Sequence, residues 1–307
     1  QEARGTFSFL IAVELAIGIA IALFGNLLVN EILSFLGATS VQAPLSIPYA
    51  RVIFAFAPAF FLQTAFQTFF VTAGKPALGL CVTVLAGVTN IVLDYIFMAP
   101  LHMGIAGAAI ATGIGYCIPA AVGMIYFLTT RKNYLHFVGV RFERSVLLKA
   151  CGNGSSEMVT NLANAVTTLL FNYTLLQYYG EDGVASITII LYFQYIFTAL
   201  YFGYSNGIAP IISYKFGNND TAQLHCIFKS SLVFLLIAAL VANSLLLLTI
   251  KDALTIFTPA YSSVYEITLH GFMRYSLAFG VMGLGIFASA MFTAFSDGRT
   301  SAIISFS

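Results

Sequence analysis

Long apolar runs broken by short polar turns dominate the chain. Eight segments read as continuous or nearly continuous apolar stretches: residues 7–29, 48–72, 77–98, 104–128, 152–178, 184–211, 230–250 and 265–295. A ninth begins near residue 300. Each approaches or exceeds the ~20 residues a helix needs to cross a bilayer. None shows the ten-residue alternating pattern of a barrel strand, so every segment is predicted to be helical. The turns carry the residues that break helices: GKP at 74–76, AP at 99–100, YGEDG at 179–183, FGNND at 216–220 and SDGR at 296–299. Pro58, Pro119 and Pro210 fall inside apolar runs and are expected to kink helices or mark their ends.

Composition agrees. Of 307 residues, 59% are hydrophobic and 8% charged, against about 25% charged in a soluble domain. The chain is therefore expected to be an all-α polytopic membrane protein with the lipid bilayer as its main partner. The net charge of +1 gives no reason to expect a nucleic-acid partner. Cys81, Cys117, Cys151 and Cys226 have neither CxxC nor Cys/His spacing, so they are expected to be reduced packing residues and no cofactor is expected.

The basic residues set the orientation. With the N-terminal end in the cytoplasm, Arg4, Lys75, Arg131, Lys132, Arg141, Arg144, Lys149, Lys215, Lys229 and Arg299 all fall inside. Only Arg51, Lys251 and Arg274 fall at outer ends. Such a bias predicts the topology. Residues 131–149 form the longest polar connection and are expected to be a cytoplasmic linker. They separate an N-terminal bundle, 1–130, from a C-terminal one, 150–307.

The chain also repeats itself. LSFLGATS, YAR ending at Arg51 and AGKP are echoed by LTIFTPAYSS, FMR ending at Arg274 and DGRT, about 221 to 224 residues later. Six helices separate the copies, so both point the same way, as in parallel transporter repeats. Completing both copies requires twelve helices. By that count, and because the chain starts at Gln1 and stops within an apolar run, about two helices are expected to be missing at each end.

Three sets of polar residues lie at membrane depth. In the third segment Thr83, Gly87, Asn90 and Asp94 recur at spacings of four, three and four, one face of a helix. A carboxylic acid in hydrocarbon costs a few kcal/mol, which suits a residue that binds something. Thr112, in GIAGAAIATGIGY of the next segment, could complete an oxygen cage with Asn90 and Asp94, the ligands a hard cation prefers. A structural Asn–Asp pair locking two helices is the alternative. The fifth segment carries Glu157, Asn161, Asn164, Thr168 and Asn172 on one face. This stripe is read either as the wall of a water-filled substrate cavity or as interhelical hydrogen bonding. Gln63, Gln67 and Tyr195, with Tyr192, Gln194, Tyr201 and Tyr204 nearby, could hold flat organic cations by amide contacts and cation–π stacking. They serve packing equally well. Glu14, in FLIAVELAIGI, is a third intramembrane acid and stands alone on its helix face. GYSNG at 203–207 matches the G-x-S-x-G hydrolase pattern, but no strand-to-helix turn or paired His supports it. The protein is not expected to be an enzyme.

AGKPALGL, the N-x-x-x-D of Asn90 and Asp94, GIAGAAIAT, GNGSSEMVTNL and SNGIAPIISYKFGNND resemble the multidrug and toxic compound extrusion (MATE) transporters. The likeness runs from that family's third helix into its eleventh. It implies a two-lobed, monomeric exporter of organic compounds, opening alternately to each side and driven by Na⁺ or H⁺ in the bacterial inner membrane. In one prokaryotic branch the first lobe holds a cation site built from an Asn and an Asp on the fifth helix and a Thr on the sixth. Asn90, Asp94 and Thr112 match them, while that site's partner Asp on the first helix has no counterpart in this chain. Another branch uses acids in helices seven and ten. Glu157 sits earlier on its helix than the former, and no intramembrane acid follows Glu266 for the latter. Two rivals are weighed: a lipid-linked oligosaccharide flippase, which would line its cavity with Arg and Lys, and a channel or non-transporting scaffold.

Overall fold

The computed structural model describes residues 2–35, 43–130, 135–140 and 142–306. Part of the first repeat copy (36–42) and part of the polar connection (131–134 and Arg141) lie outside the described residues. Ten helices follow in order: α1 (Glu2–Leu27), α2 (Val29–Phe35), α3 (Ala43–Ala55), α4 (Ala57–Thr72), α5 (Pro76–Met98), α6 (Gly104–Thr129), α7 (Arg144–Gly217), α8 (Thr221–Leu254), α9 (Ser263–Ala294) and α10 (Gly298–Phe306). No strand occurs among the described residues. The chain forms two compact units, residues 1–147 and 148–307.

All eight predicted apolar segments lie on helices, and two details depart from one helix per segment. First, the segment at 48–72 is broken: α3 and α4 meet at Phe56 with a bend of 51°. Pro58 opens α4, where its missing N–H costs no hydrogen bond. Neighbouring glycines hold the bend in place. A methyl group added at Gly18 of α1 would lie 2.7 Å from Pro58 Cα, and one at Gly113 of α6 would lie within the Phe56 ring.

Second, the fifth and sixth segments merge into α7, 74 residues long. At 1.5 Å per residue that is roughly 110 Å, far more than one ~30 Å crossing. The chain reverses at Gly180, whose φ of 63° and ψ of −150° are open essentially to glycine alone. Asn153 in the first arm and Ser213 in the second both donate to the end of α9, at the Thr293 and Ala294 carbonyls. Leu169–Leu176 and Val184–Ile189, either side of Gly180, line one cavity. The arms therefore run antiparallel as two crossings. Pro210 lies inside the second arm, and Pro119 inside α6, without ending either helix.

The helix starts follow their local sequence. In the first unit Pro76 opens α5 after Gly74, which takes φ 71° in the turn. In the second unit side chains cap the helices: Asp220 accepts from Gln223 N (3.2 Å), Ser262 from Tyr265 N (3.1 Å) and Asp297 from Thr300 N (3.1 Å). Asp220 also pairs with Lys215 at 3.3 Å.

Each unit has its own core. The first is centred on Phe7, Phe66, Phe70 and Phe127, with Phe7 4.8 Å from Phe69 and 4.9 Å from Phe127 between ring centroids. Leu135 is buried in this core and Phe137 packs on it. Val138 N donates to Ser8 Oγ at 2.9 Å. This part of the predicted linker thus lies against the first unit. The second core is built on Phe193, Phe197, Tyr201, Phe272, Phe279 and Phe287. There Tyr201 is fully buried, its hydroxyl donates to the Phe279 carbonyl at 3.0 Å, and its ring fills the space above Gly283.

Candidate functional site: an acid and an amide on one face of α5

The stripe predicted on α5 meets two neighbours. Near the start of the helix Thr83 accepts a hydrogen bond from Gln67 Nε2 of α4 (3.2 Å) and donates to its own helix at the Gly79 carbonyl (2.9 Å). Two turns further on, Asn90 Nδ2 donates to Thr112 Oγ1 of α6 at 3.4 Å. Small residues make this approach possible. Gly115 of α6 lies so close to α5 that a Cβ there would touch Asn90 Cβ and the Ala86 carbonyl at 3.5 Å. Ala109, Ala111 and Gly113 around Thr112 are buried.

The protons at this contact are already assigned. Thr112 donates to the Ala108 carbonyl at 2.9 Å, so its oxygen is left only as an acceptor. Asn90 turns its amide N–H toward Thr112, which leaves its carbonyl oxygen uncommitted. Asp94, one turn beyond Asn90, is half-buried, and its Oδ1 is a buried oxygen without a hydrogen-bond partner. Buried polar atoms are nearly always paired. Asp94 Oδ1 is thus a buried acceptor without a donor, one turn from the Asn90 amide on the same face of α5.

The second predicted stripe behaves differently. Asn161 Nδ2 donates to the Glu157 carbonyl (3.0 Å) and Thr168 Oγ1 to the Asn164 carbonyl (2.9 Å), both one turn back on the same helix. Glu157, Asn161 and Asn164 are exposed on this unit. Of the five, Asn172 lines a cavity of about 850 Å³ within the second unit, and its Oδ1 is again buried without a partner. Gln63 and Gln67 are half-buried on α4, and Tyr195 is 67% exposed. Glu14 is half-buried on α1, one turn before Gly18.

Sequence reasoning passed over several polar contacts. Tyr275 donates to Gln194 Oε1 at 3.0 Å, and Asn243 Nδ2 donates to the Ser276 carbonyl at 3.0 Å. Tyr204, read as a substrate-stacking candidate, instead donates to Ser231 at 2.9 Å and stacks on Phe234 at 4.4 Å. Glu181, Thr188 and Thr258, which line the cavity with Asn172, carried one signal in the sequence: an acid directly after the Gly180 turn. Ser205 of GYSNG is fully buried inside a helix, which is no place for an exposed nucleophile.

Helical crossings that place small and polar faces against one another, with an acid at membrane depth, define a multi-pass membrane protein. The particular family follows from comparison: the MatE family model matches residues 1–96 and 155–307, and the chain belongs to that family. The multidrug export protein MepA of Staphylococcus saprophyticus is 24% identical over 301 residues, covering 97% of this chain and 65% of that protein. MepA of Staphylococcus haemolyticus is 27% identical over 217 residues, 70% of this chain and 47% of that protein. The chain thus spans about two thirds or less of the length of these relatives. Among solved structures, the outward-facing form of a multidrug resistance MATE family transporter of the MOP superfamily superposes with a TM-score of 0.91 at 20% identity. That match covers 99% of this chain and 68% of the other. A MATE transporter in its bent conformation gives 0.86 at 19% identity, covering 99% and 67%. These likenesses establish the shared fold.

Proposed function

We propose that this chain forms the greater part of a secondary antiporter that exports organic compounds, often cationic, in exchange for Na⁺ or H⁺. The observation that carries the reading is the orphaned Oδ1 of Asp94, set on the face where Asn90 meets Thr112. A Na⁺ ion arriving there would find oxygen ligands only: the carboxylate, the Asn90 carbonyl and the remaining lone pair of Thr112. A proton would satisfy the same oxygen directly. In either form the bound cation offsets the cost of holding a charge in hydrocarbon.

Transport follows if the cation and the drug favour different states of the protein. A ligand that binds both states equally shifts nothing, so coupling needs differential affinity. In this reading, cation at Asp94 stabilises one opening and substrate stabilises the other, each displacing the other in turn. The names of the MepA relatives support the class of cargo, since those proteins are multidrug exporters. The amides on α4, Gln63 and Gln67, and the polar face of the first arm of α7 are the surfaces assigned to substrate. The bacterial cell membrane is the assigned location, with the charged connection at 131–149 on the cytoplasmic side and the protein acting as a monomer.

The test is Asp94→Asn in the intact protein, reconstituted in vesicles with an imposed Na⁺ or H⁺ gradient. Gradient-driven export of a cationic dye is expected to fall to background while the amount of inserted protein stays the same. Gradient-driven export at the wild-type rate would remove Asp94 from the coupling step.

A further inference from the structure

Positive charge is concentrated in the polar connection after α6. Residues 131–149 hold five basic residues, Arg131, Lys132, Arg141, Arg144 and Lys149, against one acid, Glu143, a net +4 in a chain whose total is +1. The connection folds back on the first unit. Phe137 N donates to the Phe127 carbonyl of α6 at 3.3 Å, and Val138 N donates to Ser8 Oγ of α1 at 2.9 Å. These bonds fix its depth. The crossing Ala3–Leu27 has 25 residues, a length of about 37 Å, and centred in a ~30 Å hydrocarbon layer it overhangs by a few Å at each end. Ser8 lies about 7.5 Å along it, so the segment bonded to Ser8 sits at the boundary between headgroups and acyl chains. Its side chains sort to two sides. Leu135 is buried in the core of the unit, and the Phe137 ring lies 5.1 Å from Phe7. Val140 is 56% exposed and Phe142 74%, with the Phe142 ring edge-on to Phe9 at 5.7 Å. Arg144, in the first turn of α7, is exposed and has no ion-pair partner among the described residues.

Exposed apolar groups at this depth favour acyl chains, and an unpaired guanidinium favours phosphate, which it grips through two parallel N–H donors. We infer that Val140, Phe142 and Arg144 form a docking site for an anionic phospholipid of the cytoplasmic leaflet. Val140 and Phe142 lie among the upper acyl carbons, and Arg144 holds the headgroup phosphate. By the charge bias of the loops this end is cytoplasmic, the side where anionic lipids give the membrane a negative surface potential. The other basic residues of the connection add a field of the same sign. Glu143, half-buried beside Arg144 in the chain, opposes that field and limits the affinity.

The chain contains no tryptophan, so Phe142→Trp supplies a single reporter at the site. The intact protein is reconstituted in bilayers of phosphatidylcholine and phosphatidylglycerol, with bromine on the acyl chains of one lipid or the other. Brominated lipid quenches a tryptophan it touches, so the two quenching curves give the relative affinity of the site for the two headgroups. Phosphatidylglycerol should be favoured about fivefold, the effect of one basic residue near an anionic surface. Arg144→Gln should remove most of that preference, and Glu143→Gln should raise it, by up to about fivefold. The opposite signs separate a lipid site from simple misfolding. Leu240→Trp, 71% exposed in the middle of α8, is the control and should show no headgroup preference. Added inorganic phosphate should leave the ratio unchanged, because it brings no acyl chains to Val140 and the reporter. Equal quenching by both lipids, no quenching by either, a ratio that Arg144→Gln leaves unchanged, or displacement by phosphate would overturn the assignment. The measurement uses no ion gradient, so its outcome is independent of the transport result for Asp94→Asn.

Discussion

Three glycines on α1 put the packing of the first unit to a quantitative test. Gly5 has nothing within 4 Å of where a Cβ would go. Gly18 would place that Cβ 2.7 Å from Pro58 Cα and 3.1 Å from Pro58 N, and Gly25 would place it 2.6 Å from the Phe54 ring. All three lie on one helix, so Gly→Ala brings a gain in helix propensity at each, about 1 kcal/mol at the interior Gly18 and less at Gly5 and Gly25 in the terminal turns. The steric terms differ. At Gly5 there is none. At Gly18 the obstacle is backbone, held by the bend between α3 and α4, and cannot rotate away. Overpacking of that kind costs about 1–3 kcal/mol. At Gly25 the obstacle is a side chain, and the cost should be smaller. Subtracting Gly5→Ala from Gly18→Ala removes part of the propensity term, so the clash, about 1–3 kcal/mol, is offset by less than about 1 kcal/mol and should still show as net destabilisation. The measurement is unfolding of the purified protein in mixed detergent micelles by SDS titration. The expected order of stability is Gly5→Ala, then Gly25→Ala, then Gly18→Ala. If Gly18→Ala were as stable as Gly5→Ala, α1 would not seat the bend at Pro58.

Two further changes have definite outcomes. Tyr201→Phe keeps the buried ring and removes the hydroxyl that reaches the Phe279 carbonyl at 3.0 Å, so unfolding should become easier by about 1 kcal/mol with transport specificity unchanged. Asp297, in the turn before α10, has its carboxyl held below the usual carboxylate range, chiefly by the Thr300 hydroxyl and amide. A lowered folded-state value means its contribution is complete above the ordinary carboxylate range and lost as pH falls through the folded value. Protection factors at the start of α10 (exchange rates corrected for the intrinsic slowing of amide exchange in acid) should fall as pH drops, and Asp297→Ala should abolish that pH dependence.

Much of this was legible in the sequence because lipid imposes strong rules. A bilayer requires long helices, so the eight apolar segments could be placed by length alone. Asn90 and Thr112 could be paired because four-residue spacing on α5 and a run of small residues on α6 both point inward. Where the sequence left alternatives open, the cause was local. Asn161 and Thr168 bond to carbonyls one turn back on their own helix. An amide or hydroxyl pattern looks the same whether it faces a cavity or its own backbone. Asn172, in the same stripe, does face a cavity, because the chain turns back at Gly180 and places Val184–Ile189 opposite it. No periodicity announces that. The kink signalled by Pro58 was visible, but its position at Phe56 depends on Gly18 and Gly113, which lie on helices distant in sequence.

The two repeat copies show why one sequence pattern does not give one structure. With Arg51 in register with Arg274, Pro58 aligns with Val281. The first copy breaks by 51° at Phe56, while the second runs unbroken from Ser263 to Ala294. The cause is a single imino acid, helped by the glycines that give the bent segment room. Val281 keeps its N–H and so continues the helix, and Ser262 fixes where that helix begins. The unit containing Asp94 therefore carries an interruption in its hydrogen-bond ladder, held at 51° by the packing of Gly18 and Gly113 against it. The unit containing the apolar cavity has its counterpart helix capped and continuous. The hydrogen bond from Gln67 to Thr83 ties α5, the helix that carries Asp94, to α4, the helix that begins at the break, so a change in the packing of one is felt by the other.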